Sequence, residues 1–371
     1  MGEFDPTRVD PTAIPVTPIR LREGYGFARI QGSPEVFPDN LTGAINLAKL
    51  EQVGDPTSPL VFEPGKLLQA NRGFLLIDEI GKLPRGTQNV LLQALQENIV
   101  TPAKSRETFP ASFVAVTTSN LADLDNINEP LNDRLTNLYV GFPTTLEKNR
   151  AVIDYAIDGA MDGSTSPRSG PRVWIPTILR DASAHLIADW RRAAEGVFEL
   201  DEVGSNRTMV EILRRAESYA TLARRDHLTA NDFRRGATDA MRGRIRARGG
   251  ESFLANKETV DAFLEKHWKE AGKRAAVSWW CGLFVDELKQ DRAEGERVIR
   301  ETREVVGNPE LLARAQGSEG HQKFRRFSDY VKNRERVTDT ELPTRVSAAF
   351  GLLQDFGTFE TTDWATELAR R

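Results

Sequence analysis

Apolar residues before Pro143 come in short unbroken runs, and after it they recur at helical spacing. The run Phe74-Leu75-Leu76-Ile77 ends in Asp78-Glu79, a pattern that predicts a buried parallel strand. Thr87 to Gln96 places apolar side chains at Val90, Leu91, Ala94 and Leu95, the spacing of one helix face. Ser112 to Thr118, centred on Phe113-Val114-Ala115-Val116, predicts a second buried strand, and Leu138-Tyr139-Val140 a third. Strand, helix, strand, strand with short loops argues an α/β unit with a parallel sheet. Upstream, residues 1–24 are Pro-rich and extended, with a short strand expected around Pro18 to Leu21. Residues 25–66 carry Gly and Pro punctuation around a short helical pattern, Ala44 to Leu50.

Beyond Pro143 the strand signals stop. Helices are predicted over Glu147 to Met161 and over about 176–197, 205–225 and 230–248, with a polar segment from Asp162 to Arg172 between the first two. Thr229-Ala230-Asn231-Asp232 announces the last as a capping box with Asp in place of Glu, and Gly249-Gly250 closes it. Residues 251–371 read as helical and charged, with Trp268, Trp279, Trp280 and Trp364 available for a core. The expected division is an α/β core over 1–145, a helical domain over 146–250 and a helical extension over 251–371.

Composition narrows the class. A chain of 371 residues has room for two or three cores, and 39% hydrophobic with 28% charged residues is ordinary for a globular protein. No apolar run reaches the length of a membrane helix, and the single cysteine, Cys281, excludes an intrachain disulfide framework. A cytoplasmic location is expected. Four histidines and one cysteine do not build a zinc site of usual ligand spacing. Between Ser205 and Arg248 eleven arginines face five carboxylates, a balance of +6 (11 − 5) in a chain of net charge −4.

Candidate chemistry begins at Asp78-Glu79. A buried strand delivers both carboxylates to the edge of the sheet where open α/β folds bind ligands. In a Walker B arrangement Asp78 holds Mg²⁺, usually through water, and Glu79 polarises an attacking water. A strand ending in Asp-Glu also serves as a plain helix cap. Asn120, after the next strand, fits a sensor of the γ-phosphate, and equally a turn Asn. Arg134, in Pro130-Leu131-Asn132-Asp133-Arg134-Leu135, fits an arginine finger presented to a neighbouring subunit, and equally a local ion pair with Asp133. Arg207, in Gly204-Ser205-Asn206-Arg207 at the start of a helix, fits a second sensor.

These motifs occur together in one order, and the block Phe62-Glu63-Pro64-Gly65-Lys66-Leu67-Leu68-Gln69-Ala70-Asn71-Arg72-Gly73 before the Asp78-Glu79 strand resembles the magnesium chelatase I-subunit and MoxR group of AAA+ ATPases. Leu41 to Leu47 is similar to the segment preceding that block in the family. Glu97 to Phe109, with a Lys104-Ser105-Arg106 tip, resembles the family's hairpin before the first sensor, and 176–248 its helical lid. The resemblance covers about 20–248. It implies an AAA+ parallel sheet followed by an all-α lid, ATP and Mg²⁺ as ligands, assembly into an oligomeric ring with other AAA+ subunits, and remodelling of a partner protein. MCM helicases share the hairpin and the strand context, so a DNA translocase is the alternative class. A non-hydrolysing scaffold completed by a partner chain is another.

The resemblance also has gaps. Gly-Lys occurs at 65–66, 81–82 and 272–273, never followed by Ser or Thr and never with a Gly five residues earlier, so no phosphate-binding loop is present. The family's loop belongs upstream of residue 1. The AAA+ sheet is therefore expected to be incomplete and the chain alone to be inactive and poorly soluble, because the loop's strand belongs between the Ser112–Thr118 strand and Leu138-Tyr139-Val140. The extension 251–371 has no recognised counterpart. Asp162-Gly163-Ser164-Thr165-Ser166 matches a metal-adhesion pattern but follows a polar helix where that site needs a buried strand, which favours a loop. The arginine-rich 205–248 segment lacks interleaved aromatics, which weighs against nucleic acid.

Overall fold

The computed structural model describes residues 21–55, 58–102, 108–158, 173–197, 205–242, 253–306 and 319–357, together with Glu367. Two units make up the chain, Met1–Tyr139 and Val140–Arg371.

In the first unit, β1 (Arg22–Glu23) and β2 (Gly26–Gln31) precede an antiparallel pair, β3 (Gly43–Ile45) and β4 (Phe62–Pro64). Then come β5 (Gly73–Asp78), a second antiparallel pair, β6 (Ile99–Val100) and β7 (Phe109–Pro110), and finally β8 (Phe113–Thr117). β1, β2, β5 and β8 form one parallel sheet in that order. Alternate residues Ala28, Ile30, Leu75 and Ile77 bury one sheet face. Against them pack Leu41 of α1 (Pro38–Thr42), Leu67 of α3 (Lys66–Gln69) and Leu91 and Ala94 of α4 (Arg85–Glu97). Between β3 and β4 runs α2 (Leu47–Val53), which buries no residue.

Both parallel strands read from the apolar runs are present, but each is covered on one face. Phe74, Val114 and Val116 point the other way and are 48%, 57% and 49% exposed. A continuous apolar run says that both faces of a strand suit burial, not which neighbours cover them. The third expected strand is absent: residues 136–144 have no regular structure, and Leu138, Tyr139 and Val140 are 83%, 78% and 89% exposed. Three apolar residues make a strand only beside a partner, and β8, the outermost strand of the sheet, does not pair with them.

Ala44 to Leu50 divides as well. Ala44 and Ile45 pair with Glu63 and Phe62, and helix begins only at Leu47, capped by the Asn46 side chain, which accepts from the Lys49 N–H at 3.2 Å. The hairpin expected over 97–109 is present as β6 and β7, while its tip, with Lys104 and Arg106, lies outside the described residues. So do most of the strand expected around Pro18 to Leu21, the Asp162–Ser166 pattern, Gly204 and Gly249-Gly250.

The second unit is helical among its described residues. It runs through α6 (Leu146–Asp158), α7 (Thr177–Val197), α8 (Asn206–Leu222), α9 (Ala230–Arg242) and α10 (Phe253–Leu283). There follow α11 (Val285–Gln290), α12 (Arg292–Val306), α13 (Glu319–Glu335) and α14 (Leu342–Asp355). One apolar core runs from Ile153 to Phe356, so the expected lid segment and the extension share it. Trp279 sits edge-on to Tyr330 at 4.7 Å and to Trp280 at 5.5 Å. The Thr229 capping box forms: the Thr229 N–H donates to Asp232 at 2.9 Å, and the Asp232 N–H to the Thr229 hydroxyl at 3.3 Å. Polar ties join α7 to α13: the Thr177 N–H donates to Glu335 at 3.0 Å, and Arg334 reaches the buried Asp181 at 3.1 Å.

Candidate functional site

Asp78 closes β5 at the C-terminal edge of the sheet, between the ends of β2 and β8. Its Oδ1 accepts the Thr118 hydroxyl at 2.5 Å and its Oδ2 the Arg29 guanidinium at 3.2 Å. The chain then turns sharply, because Glu79 adopts the left-handed conformation (φ 56°, ψ 53°). A residue without a special side chain pays for that backbone, and such strain collects at functional positions. Two hydrogen bonds hold the turn. The Glu79 N–H donates to the Thr118 hydroxyl at 3.0 Å, and the Ile80 N–H to the Thr118 carbonyl at 2.9 Å. Thr118 therefore orients both carboxylate residues at once.

The Glu79 carboxylate accepts from the Gln31 amide at 3.1 Å through Oε2 and faces Lys82 Nζ at 2.9 Å through Oε1. That hydrogen bond to Glu79 holds the Lys82 ammonium above the ordinary lysine range. Gly32 lets β2 come this close. Its N–H donates to the Asp78 carbonyl at 2.7 Å, and a Cβ there would lie 2.0 Å from the Glu79 carbonyl oxygen.

The structure thus brings Asp78 and Glu79 together and places the other expected residues as follows. Asn120 is exposed, two residues beyond Thr118, in extended backbone at the start of a 3₁₀ turn over Leu121–Asn126. Arg134 is exposed just after α5 (Glu129–Asn132) and donates to the Pro130 carbonyl at 2.5 Å; no ion pair joins it to Asp133 among the described residues. Arg207 is exposed in the first turn of α8 in the second unit, where the Ser205 side chain caps the helix by accepting from the Thr208 N–H at 3.3 Å.

Sequence reasoning missed Arg29, Gln31, Gly32, Lys82 and Thr118. The signal for β2 was present in Gly26-Phe27-Ala28-Arg29-Ile30-Gln31, where Ala28 and Ile30 alternate with polar residues between glycines.

No cluster of three or more His, Cys, Asp or Glu side chains builds a protein-only metal cage among the described residues. Mg²⁺ keeps several waters and takes one or two carboxylates plus phosphate oxygens, and Asp78, fixed by Thr118, suits that role. Several described arginines of the helical unit are engaged by carboxylates. Arg225 grips Asp232 at 2.5 and 2.7 Å, Arg242 grips Asp261 at 2.6 and 2.5 Å, Arg215 pairs with Glu211 at 2.8 Å, and Arg234 pairs with Glu265.

Residues 18–134 match the family model described as ATPase family associated with various cellular activities (AAA). The magnesium-chelatase 38 kDa subunit of Cereibacter sphaeroides is 28% identical over 233 residues, 57% of this chain and 65% of that protein. An archaeal Lon protease from Methanothermobacter thermautotrophicus is 34% identical over 159 residues, 38% of this chain and 23% of that protein. A similar protease from Pyrococcus abyssi is 28% identical over 149 residues, 36% of this chain and 14% of that protein. The chain thus spans from 14% to 65% of the length of these curated relatives. Among solved structures, a putative ATPase from Cytophaga hutchinsonii aligns at 21% identity and a TM-score of 0.28, over 63% of this chain and 76% of that one. NtrX from Brucella abortus in complex with ADP aligns at 18% identity and a TM-score of 0.35, over 53% and 40%.

Proposed function

We propose that this chain is a subunit of an AAA+ ATPase ring that couples ATP hydrolysis to remodelling of a partner protein, as its likeness to a magnesium chelatase subunit suggests. The observation that carries the reading is the Asp78-Glu79 pair, fixed by Thr118 at the C-terminal edge of a parallel sheet, inside the segment that matches the ATPase family.

Bound Mg²⁺ would place positive charge against the phosphate oxygens of ATP. Asp78 holds it, with one carboxylate oxygen fixed by Thr118. Glu79 orients and polarises the attacking water; each of its oxygens accepts one protein hydrogen bond and retains a second acceptor position. Asn120 aligns the same water, Arg134 is presented to the site of a neighbouring subunit, and Arg207 is the second nucleotide sensor. A strand carrying a phosphate-binding loop joins the outer edge of β8. That edge is unpaired among the described residues, and Val114 and Val116 beside it are exposed. An open apolar edge of this kind favours addition of a strand. Arg215, Arg225, Arg234 and Arg242 are held by carboxylates, which weighs against a continuous nucleic-acid track over the described part of 205–248.

The test is ATP turnover by the native complex that carries this chain. Glu79→Gln should abolish turnover while ATP stays bound, and Arg134→Ala should do the same. Mixing the two variants should restore part of the activity, because a mixed ring contains sites with both groups intact. Turnover that survives Glu79→Gln would overturn the proposal.

A further inference from the structure

Among the described residues, Lys82 and Arg29 both sit against the carboxylate pair. Lys82 is local, three residues from Glu79. Arg29 comes from β2, where the register sets it opposite Leu76 and sets Gln31 opposite Asp78. Residues two apart on a strand share a face, so Arg29 stands on the Asp78 side of the sheet and leans one step forward to reach Oδ2 at 3.2 Å. Glu23, another carboxylate close to Arg29, is held by Lys66 at 2.8 Å. Arg29 is open to solvent, with 56% of its side chain exposed against 34% for Asp78.

We propose that Arg29 is a built-in counter-cation that competes with a divalent ion for Asp78. This rests on the reading of Asp78 as the metal-holding residue. Asp78 is shaped for metal on one side, where Thr118 fixes Oδ1, and is occupied on the other, where the guanidinium covers Oδ2. A divalent ion drawn to Asp78 meets the repulsion of the guanidinium already on Oδ2, so the metal and Arg29 oppose each other there and loading the one loosens the other. Arg29 is thus a positioning residue: it keeps the empty site compact and sets how much cation is needed to fill it. Once loosened, its planar fork is free to meet a phosphate oxygen.

The sign of its effect separates this role from a structural one. A residue that merely supported Asp78 would weaken metal binding when removed, whereas a competitor strengthens it. The experiment titrates Mn²⁺, added as the chloride, into the full chain and follows paramagnetic broadening of backbone amide signals. Arg29→Gln should tighten Mn²⁺ binding by about twofold to fivefold, the factor that loss of one exposed ion pair releases. Arg29→Lys, which keeps the charge without the fork, should tighten it less. Unchanged or weaker binding in Arg29→Gln overturns the inference. If that variant does not fold, unchanged or weaker binding in Arg29→Lys overturns it instead. Asp78→Asn should abolish the broadening around residue 78. If it does not, the metal assignment beneath the inference is what fails.

Discussion

Gly32→Ala tests the close approach that builds the site. The added Cβ would lie 2.0 Å from the Glu79 carbonyl oxygen, 2.8 Å from its carbon and 2.9 Å from the Asp78 carbonyl oxygen, all backbone atoms. Ordinary contact requires well over 3 Å, so β2 and the Glu79 turn must separate by more than about 1 Å. Overpacking of this kind costs about 1–3 kcal/mol. Losing the 2.7 Å bond from the Gly32 N–H to the Asp78 carbonyl adds about 1 kcal/mol. A local destabilisation of about 2–4 kcal/mol corresponds to a fall in amide protection of about thirtyfold to a thousandfold. Hydrogen exchange read by mass spectrometry on peptides covering 26–32 and 73–79 measures it. Gly86→Ala is the control. Gly86 lies inside α4 with nothing within 4 Å of the added Cβ, so Ala there should stabilise by about 0.5–1 kcal/mol. Unchanged protection in both peptides of Gly32→Ala would refute the packing of β2 against the Glu79 turn.

Thr118→Val removes the hydroxyl that Asp78 and the Glu79 N–H share, so turnover by the native complex should fall at least tenfold with the melting temperature nearly kept; full turnover would exclude an orienting role. Asp232→Ala removes the capping box of α9 and leaves Arg225 without its carboxylate, a loss of about 2–3 kcal/mol measurable as a lower urea midpoint. Burial pushes the Glu335 carboxyl above its ordinary value of 4.5. A carboxyl with a raised folded pKa binds its proton more tightly in the folded state, so the stability it contributes is present below 4.5 and lost as pH rises through the raised value. Wild type should therefore lose more stability than Glu335→Gln between pH 5 and 8. Tryptophan fluorescence reports it, since all six tryptophans, from Trp174 to Trp364, fall in the second unit. Parallel pH profiles would refute this.

The strand before Asp78, helix α4, the capping box and the succession of helices after Pro143 were legible because each is specified by neighbours within a few residues. Apolar runs, helical spacing and cap chemistry are local properties, and local energetics decide them. Asp78 and Glu79 were legible for the same reason: the strand that carries them is written in the four residues before them. Other features depended on partners far along the chain. Leu138-Tyr139-Val140 has the composition of a strand, but a strand exists only where another backbone pairs with it, and here the three side chains face solvent. Phe74 and Val114 are as apolar as Leu75, yet only Leu75 has helices packed over it. The surroundings of the carboxylates were hidden most completely. Arg29 and Gln31 lie 49 and 48 residues from the groups they touch, and Thr118 lies 40 from Asp78. Only the parallel register of β2, β5 and β8 brings these side chains to one edge, and register is a property of the assembled sheet.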